Sequence, residues 1–221
     1  MKRVLVFTGG DADDGAPYLA DRNGFDLVIA ADSGLDRAEK MGIRPDLVIG
    51  DLDSASPEAL TRAGRTGVGI DPHPAEKDHT DLELAFQRAR AEEASEILVV
   101  GGGGGRPDHW LANLSIIAGA ANPDCSVGAR FGGWRVDVVR PDLPFTAHHV
   151  GGDLLSLVAM GGDAEGVTTR GLAYPLSDER LHWRSARGIS NVAIGGPVRV
   201  DIRSGTLLVL QPTEPEGTDY E

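Results

Sequence analysis

Residues 27–54 read LVIAADSGLDRAEKMGIRPDLVIGDLDS. Two short apolar runs, Leu27–Ala31 and Leu47–Ile49, flank a polar segment with helical character. Short runs rich in β-branched residues suit strands of a buried parallel sheet, and the segment between them suits a crossover helix. An aspartate closes the first run (Asp32), and two more close the second (Asp51 and Asp53).

The same alternation extends in both directions. Val4–Phe7, Val68–Ile70 and Ile97–Val100 are further apolar runs, and Val127–Phe131 is a weaker sixth. Ser56-Pro57-Glu58 offers an N-cap followed by proline at the first helical position. Thr80-Asp81-Leu82-Glu83 fits a capping box, and Leu82, Ala85, Phe86 and Ala89 then mark one apolar helix face. Leu111, Leu114, Ile117 and Ala118 mark a similar face further on. The pattern predicts an α/β domain over residues 1–131, a Rossmann-like parallel sheet with flanking helices.

Beyond residue 131 the helical period disappears. Arg135–Val139, Leu154–Met160, Gly166–Arg170, Val198–Ile202 and Thr206–Leu210 read as strands separated by turn residues. Ser204-Gly205 reads as the turn of a hairpin joining the last two. Residues 132–212 are therefore expected to form an all-β sandwich, with an acidic tail at 213–221.

Composition narrows the function. In 221 residues, 21 Lys and Arg stand against 34 Asp and Glu, a net charge of −13. That balance argues against a general nucleic-acid or anionic-membrane surface. The single cysteine, Cys125, excludes an intrachain disulfide and a cysteine-based zinc site. The apolar run near the N-terminus is too short for a signal peptide, and no stretch approaches a membrane span, so a soluble, cytoplasmic protein is expected.

The acids are placed selectively. Asp32, Asp51, Asp53, Asp78, Asp81 and Asp108 all follow apolar runs. In an open parallel sheet those positions lie at one edge, where ligands bind. Crowded carboxylates suit a hard cation such as Mg²⁺, itself a carrier of phosphates. Taken singly, each aspartate also fits an ordinary loop or helix cap, Asp108 especially. Gly101–Gly105 with Arg106 could cradle phosphates at a helix start, though it is neither a Walker A loop nor a dinucleotide fingerprint. As a bare turn it would serve close helix–strand packing. Lys77, one of three lysines, stands beside Asp78 and could meet a phosphate or pair locally with Glu76 or Asp81. Convergent histidines for zinc and a G-x-S-x-G elbow are both missing from the sequence.

With these residues in view, the sequence resembles the bacterial thiamine pyrophosphokinase family. The resemblance rests on ADSGLDRA at 31–38, GIRPDLVIGDLDS at 42–54, EKDHTDLELAF at 76–86 and GGGGGRPDHWLANL at 101–114. It continues through LLSLVAMGG at 154–162, GVTTRGLAYPL at 166–176 and GISN at 188–191. It implies a homodimer that transfers pyrophosphate from ATP to the hydroxyethyl group of thiamine, giving thiamine diphosphate and AMP. By the same resemblance Asp51, Asp53 and Asp81 would hold Mg²⁺, with Asp78 supporting the metal shell or orienting Lys77. Asp32, Lys77, Gly104, Gly105, Arg106 and Asn113 would attend ATP. Asp108 would contact the aminopyrimidine of thiamine or accept its hydroxyl proton, and Thr169, Ser190 and Asn191 would bind thiamine. Val192 and Ala193 depart from the family, which has an acidic or polar residue and then an aromatic there. Trp183 could replace that aromatic or simply pack in the core. Pro107 is a milder departure. A pyrophosphokinase for another alcohol, such as a hydroxymethylpterin, and a non-catalytic nucleotide binder are the alternatives.

Overall fold

The computed structural model describes residues 1–10, 22–76, 78–104, 106–131 and 133–213. Lys77, Gly105 and the acidic tail beyond Thr213 therefore lie outside the described residues. The protein is a mixed α/β chain of two compact units, Met1–Ile116 with Ala129–Gly132, and Ile117–Gly128 with Gly133–Glu221.

The first unit holds β1 (Lys2–Phe7), β2 (Leu27–Ala31), α1 (Gly34–Lys40), β3 (Leu47–Gly50), α2 (Pro57–Arg65), β4 (Gly69–Pro72), α3 (Asp81–Ala91) and β5 (Ala94–Val100). It also holds most of α4 (Pro107–Ala120). The strands run parallel in the order β5-β1-β2-β3-β4. Val4, Leu5, Val6 and Phe7 on the inner strand β1 are all fully buried, as a strand covered on both faces requires. Leu5, Phe7 and Val28 pack with Ala38 of α1, and Ala30 and Val48 pack with Leu35 of α1 and Ala59 and Ala63 of α2. Strand alternation sends Val4, Val6 and Ile29 to the opposite face. Helix α3 packs against β2, β3 and β5. Pro72 has no N–H to give to a further strand, and β4 is accordingly the outermost of the five.

Two helix starts follow the sequence signals. Ser56 accepts from the Ala59 N–H at 3.3 Å, with Pro57 at the first helical position. Thr80 accepts from the Glu83 N–H at 3.3 Å, and Glu83 accepts from the Thr80 N–H at 2.8 Å. The apolar face of α3 is buried as expected. On α4, Leu114, Ile117 and Ala118 are buried, but Leu111 is 61% exposed and does not belong to the packed face. None of the described helices is long and apolar enough to cross a membrane.

The second unit takes the end of α4, part of β6 (Ser126–Phe131), and β7 (Trp134–Val139), β8 (Phe145–His149), β9 (Leu154–Ala159) and β10 (Ala164–Arg170). It continues with β11 (Glu179–Leu181), β12 (Asn191–Val192), β13 (Gly196–Asp201) and β14 (Leu207–Pro212). Strands β12-β9-β14-β7 pair antiparallel, and so do β11-β10-β13-β8. Leu155, Leu157, Leu207 and Val209 from the first group share one buried core with Val167, Leu181, Val198 and Val200 from the second.

The expected hairpin at Ser204-Gly205 is not formed. Strand β13 pairs with β10 and β8, whereas β14 pairs with β7 and β9. The turn instead carries the chain from one sheet to the other. It is held by Arg203 N–H to Glu165 O at 2.8 Å and Glu165 N–H to Ser204 O at 3.0 Å. Gly205 adopts φ 92°, and a Cβ there would fall 2.5 Å from Asp163 O and 3.0 Å from Ala164 Cα. Gly205→Ala is expected to lower unfolding free energy by more than about 1 kcal/mol, read as an earlier midpoint in urea with an unchanged slope.

Candidate functional site

The GDLDS loop follows β3. Gly50 has φ 138° and Leu52 φ 64°, the left-handed region for a branched residue. Leu52 is half-buried against the cluster of Ala30, Leu35, Val48, Ala59, Ala63 and Val68. Its side chain anchors the loop, while its neighbours Asp51 and Asp53 both line a cleft. The Asp53 N–H reaches Asp51 Oδ1 at 3.4 Å, and Ser54 Oγ donates to Asp53 Oδ1 at 2.8 Å.

Asp32, at the end of β2, also has a left-handed backbone, φ 49°. Its N–H donates to Ile49 O at 3.0 Å, and its Oδ1 accepts from the Ser54 N–H at 3.2 Å. Burial pushes its carboxyl above the ordinary range; the hydrogen bonds from Ser54 and Ser33 oppose this, and Asp81 adds a smaller upward push. Asp81 is the first residue of α3, a favourable place for an anion. Its carboxylate lies over Gly50. A Cβ on Gly50 would stand 2.7 Å from Asp81 Oδ1 and 3.3 Å from Asp32 Cβ.

One oxygen from each of Asp32, Asp51 and Asp53 can be chosen so that all lie within 4.8 Å of one another. This is a hard-oxygen donor set without cysteine or histidine, which fits Mg²⁺. The geometric trio contains Asp32, where the resemblance names Asp81 beside Asp51 and Asp53. Asp81 lines the same cleft.

The cleft encloses about 780 Å³. Besides these four acids its lining includes Gly102, Gly104, Arg106, His109 and Asn113. Asn113 Nδ2 donates to Gly102 O at 3.0 Å, tying α4 to the glycine run. Arg106 forks onto Asp108 at 2.6 and 3.2 Å. That hydrogen bond is the main cause holding the exposed Asp108 carboxyl down at about 2. Asp108 is thereby a weak proton acceptor while Arg106 holds it. Asp78 is exposed and, with Asp108, stands outside the cleft lining. Thr8, Gly9, Gly10 and Ser33 also line the cleft and were not singled out from sequence. Their available signal is position: Thr8-Gly9-Gly10 directly follows the first apolar run, as the aspartates follow theirs.

Thr169, Ser190 and Asn191 lie in the second unit. Thr169 is buried, and its hydroxyl accepts from the Leu176 N–H at 2.8 Å. Ser190 is exposed with φ 57°, and its N–H donates to Ser156 Oγ at 3.0 Å. Asn191 is buried and clamps Tyr174, accepting from its N–H at 3.0 Å and donating to its carbonyl at 2.8 Å. Ala193 is buried, and Trp183 is 62% exposed, so Trp183 does not serve as core packing.

Residues 22–128 match the family model described as thiamin pyrophosphokinase, catalytic domain. Residues 144–207 match that described as thiamin pyrophosphokinase, vitamin B1 binding domain. The chain belongs to the thiamine pyrophosphokinase family.

Its relatives in that family include the thiamine pyrophosphokinase of Bacillus subtilis (strain 168), 24% identical over 218 residues, covering 97% of this chain and all of the relative. Thiamine pyrophosphokinase 1 of Oryza sativa subsp. japonica is 28% identical over 219 residues, covering 90% of this chain and 75% of the relative. The crystal structure of the Bacillus subtilis enzyme shares the fold with a TM-score of 0.82 at 23% identity, over 96% of this chain and 100% of that one. The yeast thiamin pyrophosphokinase structure does so with 0.77 at 14%, over 96% and 86%.

The raised carboxyl of Asp32 sets a pH dependence. At acid pH the group is protonated whether the chain is folded or not, and its burial costs no charge. As pH rises from the unfolded value of about 4 through the higher folded one, the unfolded state ionises first and stability falls. Asp32→Asn keeps an acceptor for the Ser54 N–H without the charge. With divalent cations chelated, it is expected to unfold a few degrees above the original protein at neutral pH, with the gap closing at acid pH. Added Mg²⁺ should raise the melting temperature of the original protein more than that of the variant, as read by differential scanning fluorimetry.

Proposed function

We propose that this chain acts as a thiamine diphosphokinase, an ATP-dependent transferase that converts thiamine to thiamine diphosphate and releases AMP. The observation that carries this reading is that both domain models of one family match, in order, with the four carboxylates of the cleft inside the catalytic match.

The reaction forms a bond from the thiamine hydroxyethyl oxygen to the β-phosphorus and breaks the bond from that phosphorus to the oxygen retained by AMP. The hydroxyl proton is released to solvent. Positioning and charge neutralisation supply most of the rate in such transfers. Asp51 and Asp53, with Asp32 or Asp81, would hold Mg²⁺ in the cleft. When bound, that ion supplies positive charge to the phosphate oxygens of ATP. Arg106 turns its guanidinium from Asp108 to a phosphate, and Lys77 and the glycine run including Gly104 and Gly105 attend the same group. Asn113 holds that run in place through Gly102. Asp78 supports the acid cluster from outside it. Asp108, released when Arg106 turns away, holds a donor on the aminopyrimidine.

The same reading assigns residues 1–131 to a Rossmann-like nucleotide domain and 132–212 to a sandwich domain that takes thiamine through Thr169, Ser190 and Asn191. It takes the enzyme to be a cytoplasmic homodimer without nucleic-acid or membrane partners. The exposed apolar side chains of Val150, Tyr174, Ile189 and Ile194 in the second unit support a self-association surface, and the charge of −13 supports the absence of a nucleic-acid partner.

Incubated with ATP, thiamine and Mg²⁺, the protein should yield AMP and thiamine diphosphate in equal amounts by ion-exchange chromatography. ADP as the nucleotide product would overturn the reading. Asp51→Asn and Asp53→Asn should each lower turnover by about a hundredfold or more while leaving the circular dichroism spectrum unchanged.

A further inference from the structure

Arg37, the one arginine of the short helix α1, is only 7% exposed. It lies beneath the loop after β1. Its Nε donates to Thr8 O at 3.1 Å and its Nη2 to Gly10 O at 3.0 Å. The carbonyl between them, Gly9 O, accepts from the Gly102 N–H at 2.6 Å. Three successive carbonyls thus each have a donor, two of them supplied by one guanidinium. In a trans peptide the C=O and the following N–H point in opposite directions. Drawing Thr8 O down onto Arg37 therefore turns the Gly9 N–H away from Arg37. Thr8, Gly9, Gly10 and Gly102 all line the cleft.

The glycine run after β5 is fitted to the same guanidinium. Gly101 has φ 93°, and a Cβ there would collide with Thr8 O and stand 2.5 Å from Arg37 Nε. The Gly102 bond to Gly9 joins the two loops directly. Arg37 therefore staples two glycine segments side by side along the wall of a cleft that four carboxylates make negative.

We propose that Arg37 is a positioning residue for the polyphosphate of the nucleotide: it holds the carbonyls of Thr8 and Gly10 back so that the Gly9 N–H, braced by the glycine run after β5, faces the anion. The nucleotide's identity rests on the function proposed above. The arginine fork is essential to this role, because an ammonium cannot span both carbonyls in one plane. The role is distinct from ion-pairing with a ligand, since the guanidinium acts through the backbone it grips.

Titration calorimetry of Mg-ATP and Mg-pyrophosphate, with thiamine absent, tests this on the intact chain. Arg37→Lys is expected to weaken both by about tenfold and to raise KM for ATP in proportion, with KM for thiamine within about twofold. Gly101→Ala should reproduce that selective loss from the other side of the contact. Unchanged Mg-ATP affinity in a folded Arg37→Lys protein, or an equal rise in both KM values, would overturn the proposal. The original protein gives a readout that needs no variant: binding of Mg-pyrophosphate should slow hydrogen exchange at the Gly9 amide, and unaltered exchange there would overturn it as well. Because affinity is measured without thiamine, failure here leaves the proposed reaction standing. Absence of AMP formation by the original protein would overturn the reaction and leave the Arg37 result intact.

Discussion

Carboxylates held together repel, and the first unit holds three of them with oxygens inside 4.8 Å and a fourth, Asp81, against Asp32 and Gly50. Left to itself, such a cluster would spread. It is kept in place by backbone that has little freedom to yield. Asp32 and Leu52 both occupy left-handed conformations, each costing about 1–3 kcal/mol in a non-glycine residue. The Ile49 carbonyl fixes Asp32 from one side and the Ser54 N–H from the other, while the Leu52 side chain is seated on the core. The strain persists because the sheet behind it is well packed: every side chain from Val4 to Phe7 is fully buried. The edge can be electrostatically unfavourable because the interior is not.

This division explains which parts of the fold were legible in the sequence. Buried parallel strands and capped helices declare themselves through composition and spacing, and Ser56, Thr80 and Glu83 make the bonds their positions forecast. Ser204-Gly205 was misleading because turn chemistry is local. A glycine at φ 92° permits a reversal, but it does not say which sheet the next strand joins. Val198 and Val200 on one side and Leu207 and Val209 on the other face the same core from different sheets, so alternation looks the same either way. The strands β11 and β12, of three and two residues, are too short to carry a period. Leu111 shows a related limit: periodicity defines a helix stripe without fixing how far along it the packing reaches.

At the site, legibility followed the location of the chemistry. Asp32, Asp51 and Asp53 carry it in side chains at strand ends and Asp81 at a helix start, and position alone brings them to one cleft. Thr8, Gly9 and Gly10 contribute mainly backbone, which a sequence does not advertise. Arg37 was hidden for the opposite reason. A basic residue in an Asp-Arg-Ala-Glu-Lys helix has the look of a solvated face, yet its burial is decided by two carbonyls 27 and 29 positions away in the chain. Asp78, three residues before Asp81, has the right type in the right loop but remains exposed, because only Asp81 enters the helix and turns with it toward Gly50.

The second unit alters the meaning of the departure at Val192-Ala193. An alanine where the family resemblance leads one to expect an aromatic suggests a lost surface contact. In this chain, however, Ala193 is 2% exposed, bridged to Leu172 and counted in the buried core. A larger ring at 193 would have to displace Leu172 or leave the strand register that Asn191 and Val192 set with Leu155 and Leu154. The small residue is thus a packing solution. Asn191 reinforces it by spending both ends of its amide on the Tyr174 backbone, and its oxygen also receives the Val192 N–H at 2.9 Å. Among the described residues, the exposed aromatic side chains of this unit are Tyr174 and Trp183, at 68% and 62%. Each is fixed at its backbone, Tyr174 by Asn191 and Trp183 by Asp163, while its ring stays open to solvent.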